Sequence, residues 1–420
     1  MKPDSEVVIT GLGVVSPIGI GIEPFWDSLV GGVSGVRVRE QFADTELPFR
    51  IAAPVTGFEP KQYVKPRKAL KIMCDPIKFA CAAASMAVEQ AGIQAGDDRN
   101  IDPNRLGTVV GTETFFADPC EVADVFHRCT VDKDYQHDRW GELAIREIQP
   151  LWMLKYLPNM AASHISIALD ARGPSNSICQ GEASSMLALI EAANLIQRGT
   201  VDVAIVGGTG SQMALTSMLY HGVENLSKNI HNPEAACRPF DRDRDGMVVG
   251  EGAGAIIIES ADHAKARGAK VIARLAGHSS GYASVGSDVF GAAFEACLRE
   301  SLDRANLKPS EIGFINANAS GSVQGDAEEA KALNSVFGDR PVSANKGNFG
   351  NLGPGTSMVE LIAGILSIEN QTIPATLNFN EGDSYCPSFA SSQNCPCNYP
   401  RMVKSSISSM GQFTSLVVTE

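Results

Sequence analysis

No uninterrupted apolar run in this sequence reaches the roughly 18 residues of a membrane-spanning helix. The stretch from Met1 to Val7 has no apolar segment of the secretory type, so a cytoplasmic chain without a membrane span is expected. Basic residues are in deficit: 35 Lys and Arg stand against 48 Asp and Glu, a formal charge of -13. A diffusely acidic surface argues against general nucleic-acid binding and predicts repulsion of an acidic partner unless a local basic patch exists. Histidine is scarce, with 7 in the chain and none beyond His278, so imidazole chemistry is excluded from everything after that residue. The ten cysteines are scattered and read as reduced thiols. Their densest group, Cys386, Cys395 and Cys397, has no His nearby and reads as a surface loop; no metal or cofactor is expected.

What is present is an alternation of buried strands and helices. Val7–Ser16, Leu106–Gly111, Val201–Gly208 and Ala253–Glu259 are apolar runs bounded by turn residues, with helical spacing over Lys78–Gly92 and Ser184–Arg198 between them. The pattern resumes with strands expected at Val271–Ala276, Ile312–Ala317, Pro341–Ala344 and Leu416–Val418. Helices are expected at Cys297–Ala305, Asp326–Phe337 and Thr356–Asn370. Such alternation implies crossover connections and buried sheets. Its repetition suggests a duplicated architecture with an N-terminal half over 1–260 and a C-terminal half over 261–420. Residues 115–157 interrupt the rhythm with mixed charges and bulky aromatics, among them Trp140 and Trp152, and read as an insertion that shapes a pocket or an interface.

Three ordered motifs then coincide. They are Ile9-Thr10-Gly11-Leu12-Gly13-Val14-Val15-Ser16-Pro17, Leu157-Pro158-Asn159-Met160-Ala161-Ala162 with Arg172-Gly173-Pro174-Ser175, and Arg238-Pro239-Phe240-Asp241 running on to Gly250-Glu251-Gly252-Ala253-Gly254. Together they resemble the elongating β-ketoacyl-ACP synthases, or ketosynthases, of the thiolase superfamily, over essentially the whole chain. The resemblance implies an α/β, thiolase-like duplicated five-layer α-β-α-β-α fold and a homodimer or heterodimer. It also implies chemistry built on a Cys thiolate at a buried helix N-terminus and two His residues, with a Lys supporting the second His.

This chain departs from that chemistry at each position. Carried onto Ser177-Ile178-Cys179-Gln180-Gly181-Glu182-Ala183-Ser184-Ser185, the nucleophile position falls on Glu182, with Cys179 three residues earlier on the approaching strand. The first His position is Asn318, in Asn316-Ala317-Asn318-Ala319-Ser320. In Lys346-Gly347-Asn348-Phe349-Gly350-Asn351 the Lys is kept as Lys346 and the second His becomes Asn351. The Phe that gates the acyl pocket in the family becomes Ser409, in Ser408-Ser409-Met410-Gly411.

A carboxylate is a poor acyl acceptor, since its acyl adduct is a reactive mixed anhydride, and an Asn amide exchanges no proton near neutral pH. Condensation by this chain alone is therefore not expected. Glu182 is expected in the first turn of the helix running to Arg198, satisfied by free N–H groups and by the amides of Asn318 and Asn351. Asp241, Arg244 and Asp245 read as an ion network in a loop. The leading functional expectation is a non-condensing partner of an active ketosynthase, similar to a chain-length factor, in fatty-acid or polyketide-type biosynthesis. The alternatives are an acyl-ACP or acyl-CoA enzyme that uses Glu182 as a base and, behind it, a malonyl-ACP decarboxylase, a role in which relatives keep both His. The expected ligand is an acyl carrier protein or another acyl thioester. Space near Ala319–Gly321 is expected to form an open cavity or to be filled by Phe349 or Phe413.

Overall fold

The computed structural model describes residues 6–40, 50–94, 99–220, 222–384 and 390–420; Cys386 lies outside them. Ten strands form the frame. In the first half they are β1 (Val7–Ser16), β2 (Leu106–Gly111), β3 (Ser175–Ile178), β4 (Val203–Ser211) and β5 (Glu251–Ser260). In the second half they are β6 (Ala273–Tyr282), β7 (Phe314–Asn316), β8 (Val342–Ser343), β9 (Arg401–Ile407) and β10 (Gln412–Thr419).

The spatial order is β3-β2-β4-β5-β1 in one half and β8-β7-β9-β10-β6 in the other. Strand directions repeat too. β2 runs parallel to β3 and β4, while β5 is antiparallel to both β4 and β1. Likewise β7 runs parallel to β8 and β9, while β10 is antiparallel to β9 and β6. The two five-stranded units are thus the same topology used twice. They join through a short antiparallel pairing of Val7, Val8 and Ile9 with Leu275, Arg274 and Ala273.

Helices complete the layers. α1 (Asp75–Gln90) and α2 (Met160–Leu169) cover the outer face of the first sheet; α4 (Phe290–Arg304) and α5 (Val323–Phe337) cover the second. Between the sheets lie α3 (Ser184–Gln197) and α6 (Thr356–Glu369), each in contact with strands of both halves and with one another. This is the thiolase-like five-layer arrangement. The central helices are apolar nearly all round because both faces are covered. In α6 every residue from Thr356 to Ile368 is buried. Phe349 sits in the core around α3 and α6, and Phe413 packs with Phe290 and Phe294 in the core of the second half, so neither is spare filling for a cavity.

Between 115 and 157 the chain forms helices Cys120–Cys129 and His137–Glu147 around a small hairpin. Glu121 ties this segment down by accepting hydrogen bonds from Trp152 Nε1 at 2.5 Å, Tyr156 Oη at 2.8 Å and Lys155 Nζ at 3.0 Å. Arg244 is buried, paired with Asp383 at 2.9 Å and donating to the backbone of Asp241, Ser322 and Val323.

Candidate functional site

The carboxyl end of β3 leads into the site. After Cys179 the chain turns at Gly181, whose φ of 57° lies in the left-handed region. A side chain there would also meet Ser408 Oγ at 2.5 Å. This turn delivers Glu182 to the head of α3. Glu182 is not within the first helical turn: α3 begins at Ser184, with Ala183 as its N-cap, so the carboxylate precedes the helix. Its backbone carbonyl accepts from Ser357 Oγ at 2.9 Å and Ser406 Oγ at 3.2 Å, clamping it to α6 and β9.

The side chain is held from the second half of the chain. Glu182 Oε1 accepts from Asn351 Nδ2 at 3.2 Å, and Oε2 accepts from the Ser409 backbone N–H at 3.3 Å. The expected bond from the Asn318 amide is not formed; the backbone groups and Oδ1 of Asn318 are held by Lys346 and Glu329. Lys346 Nζ donates to its backbone carbonyl and reaches its Oδ1 at 3.3 Å. Glu329 accepts from the backbone N–H groups of Asn318 and Ala319 at 2.8 and 2.7 Å.

Asn351 has a fixed orientation. Its Oδ1 accepts from the Gly353 N–H at 2.9 Å and Thr356 Oγ1 at 3.1 Å, which leaves Nδ2 to face the carboxylate. Beneath the site, Glu360 bridges two buried ammonium groups, Lys346 and Lys404, each at 2.8 Å. Burial lowers the Lys404 pKa and Lys346 beside it adds to this, while Glu360 opposes the shift. Burial raises Asp326 to about 6; its carboxylate accepts from the N–H groups of Phe240, Ser320 and Gly321 and ties the loop after Asn318 to the start of α5.

Two cavities meet at Glu182. One, of about 420 Å³, is lined by Glu182, Asn318, Lys346, Asn351 and Ser409 together with the start of α5. The other, of about 380 Å³, lies on the far side and is lined by Glu182, Ser409, Glu113, Cys179, Tyr220 and Met410, among others. Glu182 and Ser409 line both. The five residues singled out in the sequence are thus gathered at one place. Cys179 is close by but exposed, its Sγ 3.5 Å from Thr112 Oγ1, and no imidazole lines either cavity among the described residues.

Residues 4–264 match the family described as Beta-ketoacyl synthase, N-terminal domain, and residues 270–380 match Beta-ketoacyl synthase, C-terminal domain. The chain belongs to the β-ketoacyl synthase family. This β-ketoacyl synthase relative is 31% identical over 391 residues to 3-oxoacyl-[acyl-carrier-protein] synthase 2 of Coxiella burnetii, covering 91% of this chain and 90% of the other. It superposes on the ishigamide ketosynthase/chain length factor with a TM-score of 0.85 at 26% identity, covering 99% of both chains. It also superposes, with a TM-score of 0.84 at 27% identity, on a structure of a type II polyketide synthase acyl-carrier protein in complex with its ketosynthase bound to a hexaketide. That match covers 100% of this chain and 99% of the other.

One residue of this synthase-family site escaped the sequence reading. Glu113 stands just past the carboxyl end of β2, where α/β folds commonly present functional groups. A lone acid between the buried strand and the pair Phe115-Phe116 was the available signal. Its Oε2 accepts from Gln212 Nε2 at 2.7 Å, and burial, with the nearby charge of Glu182 adding to it, pushes its pKa up to about 8.

Proposed function

We propose that this chain is a non-condensing member of its family that pairs with an active ketosynthase and shapes the space available to the growing acyl chain. The observation that carries this reading is the hydrogen-bonded Glu182–Asn351 pair at the head of α3. Both carboxylate oxygens already accept hydrogen bonds, and the amides of Asn318 and Asn351 cannot relay protons at neutral pH. The retained Lys346 is held by Glu360 and by Asn318, which makes it a structural support rather than a base.

Partnering is supported by the exposed end of the first sheet. β3 pairs with β2 and sits at the end of the strand order. An unpaired edge is a liability that pairing with a second subunit removes. The ligands are an acyl carrier protein or another acyl thioester, consistent with the carrier complex named for one structural neighbour.

The test is intact-mass analysis after incubation with acyl-ACP and malonyl-ACP, alone and with a catalytic ketosynthase, alongside gel filtration of the co-expressed pair. The expected result is no adduct on this chain and co-elution with the ketosynthase. A condensation product formed by this chain alone overturns the reading.

A second reading has one observation in its favour: Glu182 faces both cavities, as a base acting on an acyl-ACP or acyl-CoA would need to. It requires Glu182→Gln to abolish a turnover that the wild type shows. Malonyl-ACP decarboxylation ranks behind it, and CO₂ release from malonyl-ACP would reverse that order.

A further inference from the structure

Another cavity lies away from Glu182, on the outer side of the first half. Its volume is about 310 Å³, within the range of about 300–1,000 Å³ common for small-molecule sites. Cys81, Ala84, Ser85 and Val88 form one wall, a stripe at helical spacing along α1. Ile165 and Ala168 of α2 form the opposite wall, and the segment from Tyr63 to Pro66, with Ala69 and Met73, closes the space over them. The interior carries no charge at pH 7: burial pushes the Cys81 thiol up to about 12 and lowers the His164 pKa from its ordinary value. At the mouth the chemistry changes. Ile167 lines the cavity with 71% of its surface in water. Lys65 lines it too, and Arg67, Lys68 and Lys71 follow on the short helical segment Arg67–Ile72 that supplies Ala69. These cations are exposed, and among the described residues none has an ion-pair or hydrogen-bond partner, although the chain carries a net charge of -13.

We propose that this cavity binds a single-chain amphiphile, its aliphatic tail between α1 and α2 and its anionic head against Lys65 and the cations that follow it. A fatty carboxylate and a single-chain lipid phosphate share this chemistry. Each methylene that enters the cavity leaves water for apolar walls, and the tail also covers the exposed Ile167. The head stays at the mouth, because an uncharged interior offers no partner for it. Unpaired cations on a chain of the opposite net sign make the mouth the place where an anion is held rather than repelled. A neutral head gains nothing there, and an ammonium head is pushed away. The inference stands apart from the reading of the cavities at Glu182, which it does not use.

Calorimetric titration of the purified chain with octanoate, octyl phosphate, octan-1-ol and octylammonium, each below its micelle concentration, tests this. At least one of the two anions is expected to bind about tenfold more tightly than the alcohol, with the ammonium weakest. The tighter anion identifies the head as carboxylate or phosphate. Affinity is expected to rise about fourfold per methylene from hexanoate to decanoate. Added salt should weaken the anions and leave the alcohol unchanged. Combining Lys65→Glu, Arg67→Glu and Lys68→Glu is expected to abolish the preference for anions. Ser85→Phe, which fills the space between α1 and α2, is expected to weaken anion and alcohol alike, and Ala168→Trp on the exposed wall repeats that test should Ser85→Phe fail to fold. Binding that survives both cavity substitutions unchanged places the probes elsewhere, as in the cavities at Glu182, and overturns the inference. Equal affinity for octanoate and octylammonium, inorganic phosphate that binds as tightly as octyl phosphate, or no binding of any probe overturns it as well.

Discussion

Glu182 and Asn351, 169 residues apart, meet through a 3.2 Å hydrogen bond in the wall between two cavities, so the head of α3 in the first half is stitched to the loop before α6 in the second. Replacing Glu182 with Ala strands the Asn351 amide and the Ser409 N–H, both of which point at it. A loss of about 1–3 kcal/mol is expected in urea unfolding. Glu182→Gln should cost less, since one amide oxygen still accepts. A stability gain in Glu182→Ala would show that the carboxylate is strained rather than satisfied.

The Lys346–Glu360–Lys404 bridge predicts a larger effect. All three side chains are essentially inaccessible, and Glu360 is shared by both ammonium groups. Glu360→Leu leaves two buried charges unpaired, and a loss of about 3–5 kcal/mol is expected. The triple variant Lys346→Met, Glu360→Leu, Lys404→Met should recover most of it, because well-packed apolar groups replace the whole network. Thermal melts of the single and triple variants decide this; equal destabilisation of the two would count against it.

Two carboxyl groups give opposite pH signatures. Burial pushes Glu259 up, but Arg267, His263 and Thr10 outweigh it and hold the pKa at about 2. The unfolded chain therefore binds more protons here, and stability present above about pH 4.5 is lost as pH falls towards 2. Melting curves of wild type and Glu259→Gln should converge across that window.

Glu113 does the reverse. Its raised pKa means the folded chain binds the extra proton, so its contribution is present below about pH 4.5 and is lost as pH rises to about 8. Wild type should lose stability relative to Glu113→Gln across that range, read as the difference in melting temperature at each pH. A flat difference would place Glu113 among ordinary surface acids.

The edge strand makes a fifth prediction. Ser177→Pro removes a backbone N–H from β3, which sits at the end of its sheet. If β3 is the subunit contact, this variant should cease to co-elute with the co-expressed ketosynthase in gel filtration while keeping its helical circular dichroism. Unchanged co-elution would move the contact elsewhere.

The apolar runs were legible because continuous burial leaves continuous apolar sequence: β1 and β2 stand where the sequence places them, and α6 differs by one residue. β3 was read only through the resemblance, as the strand approaching Glu182, because a short polar strand, Ser-Asn-Ser-Ile, half exposed at the sheet edge, leaves no apolar run. β9 was missed because Lys404 interrupts it, and a Lys reads as solvated until Glu360 is known to neutralise it in the core.

The sequence by itself determined the family and the doubled strand–helix plan, and it put an acid and two amides, Glu182, Asn318 and Asn351, at the positions the resemblance singles out, since these depend on residue identity and order. Only the tertiary structure decided that Glu182 stands ahead of its helix, that Asn351 rather than Asn318 holds it, and that Glu113 shares its cavity. Hydrogen-bond partners and desolvation are set by groups brought together across the two halves, and no local pattern encodes that proximity.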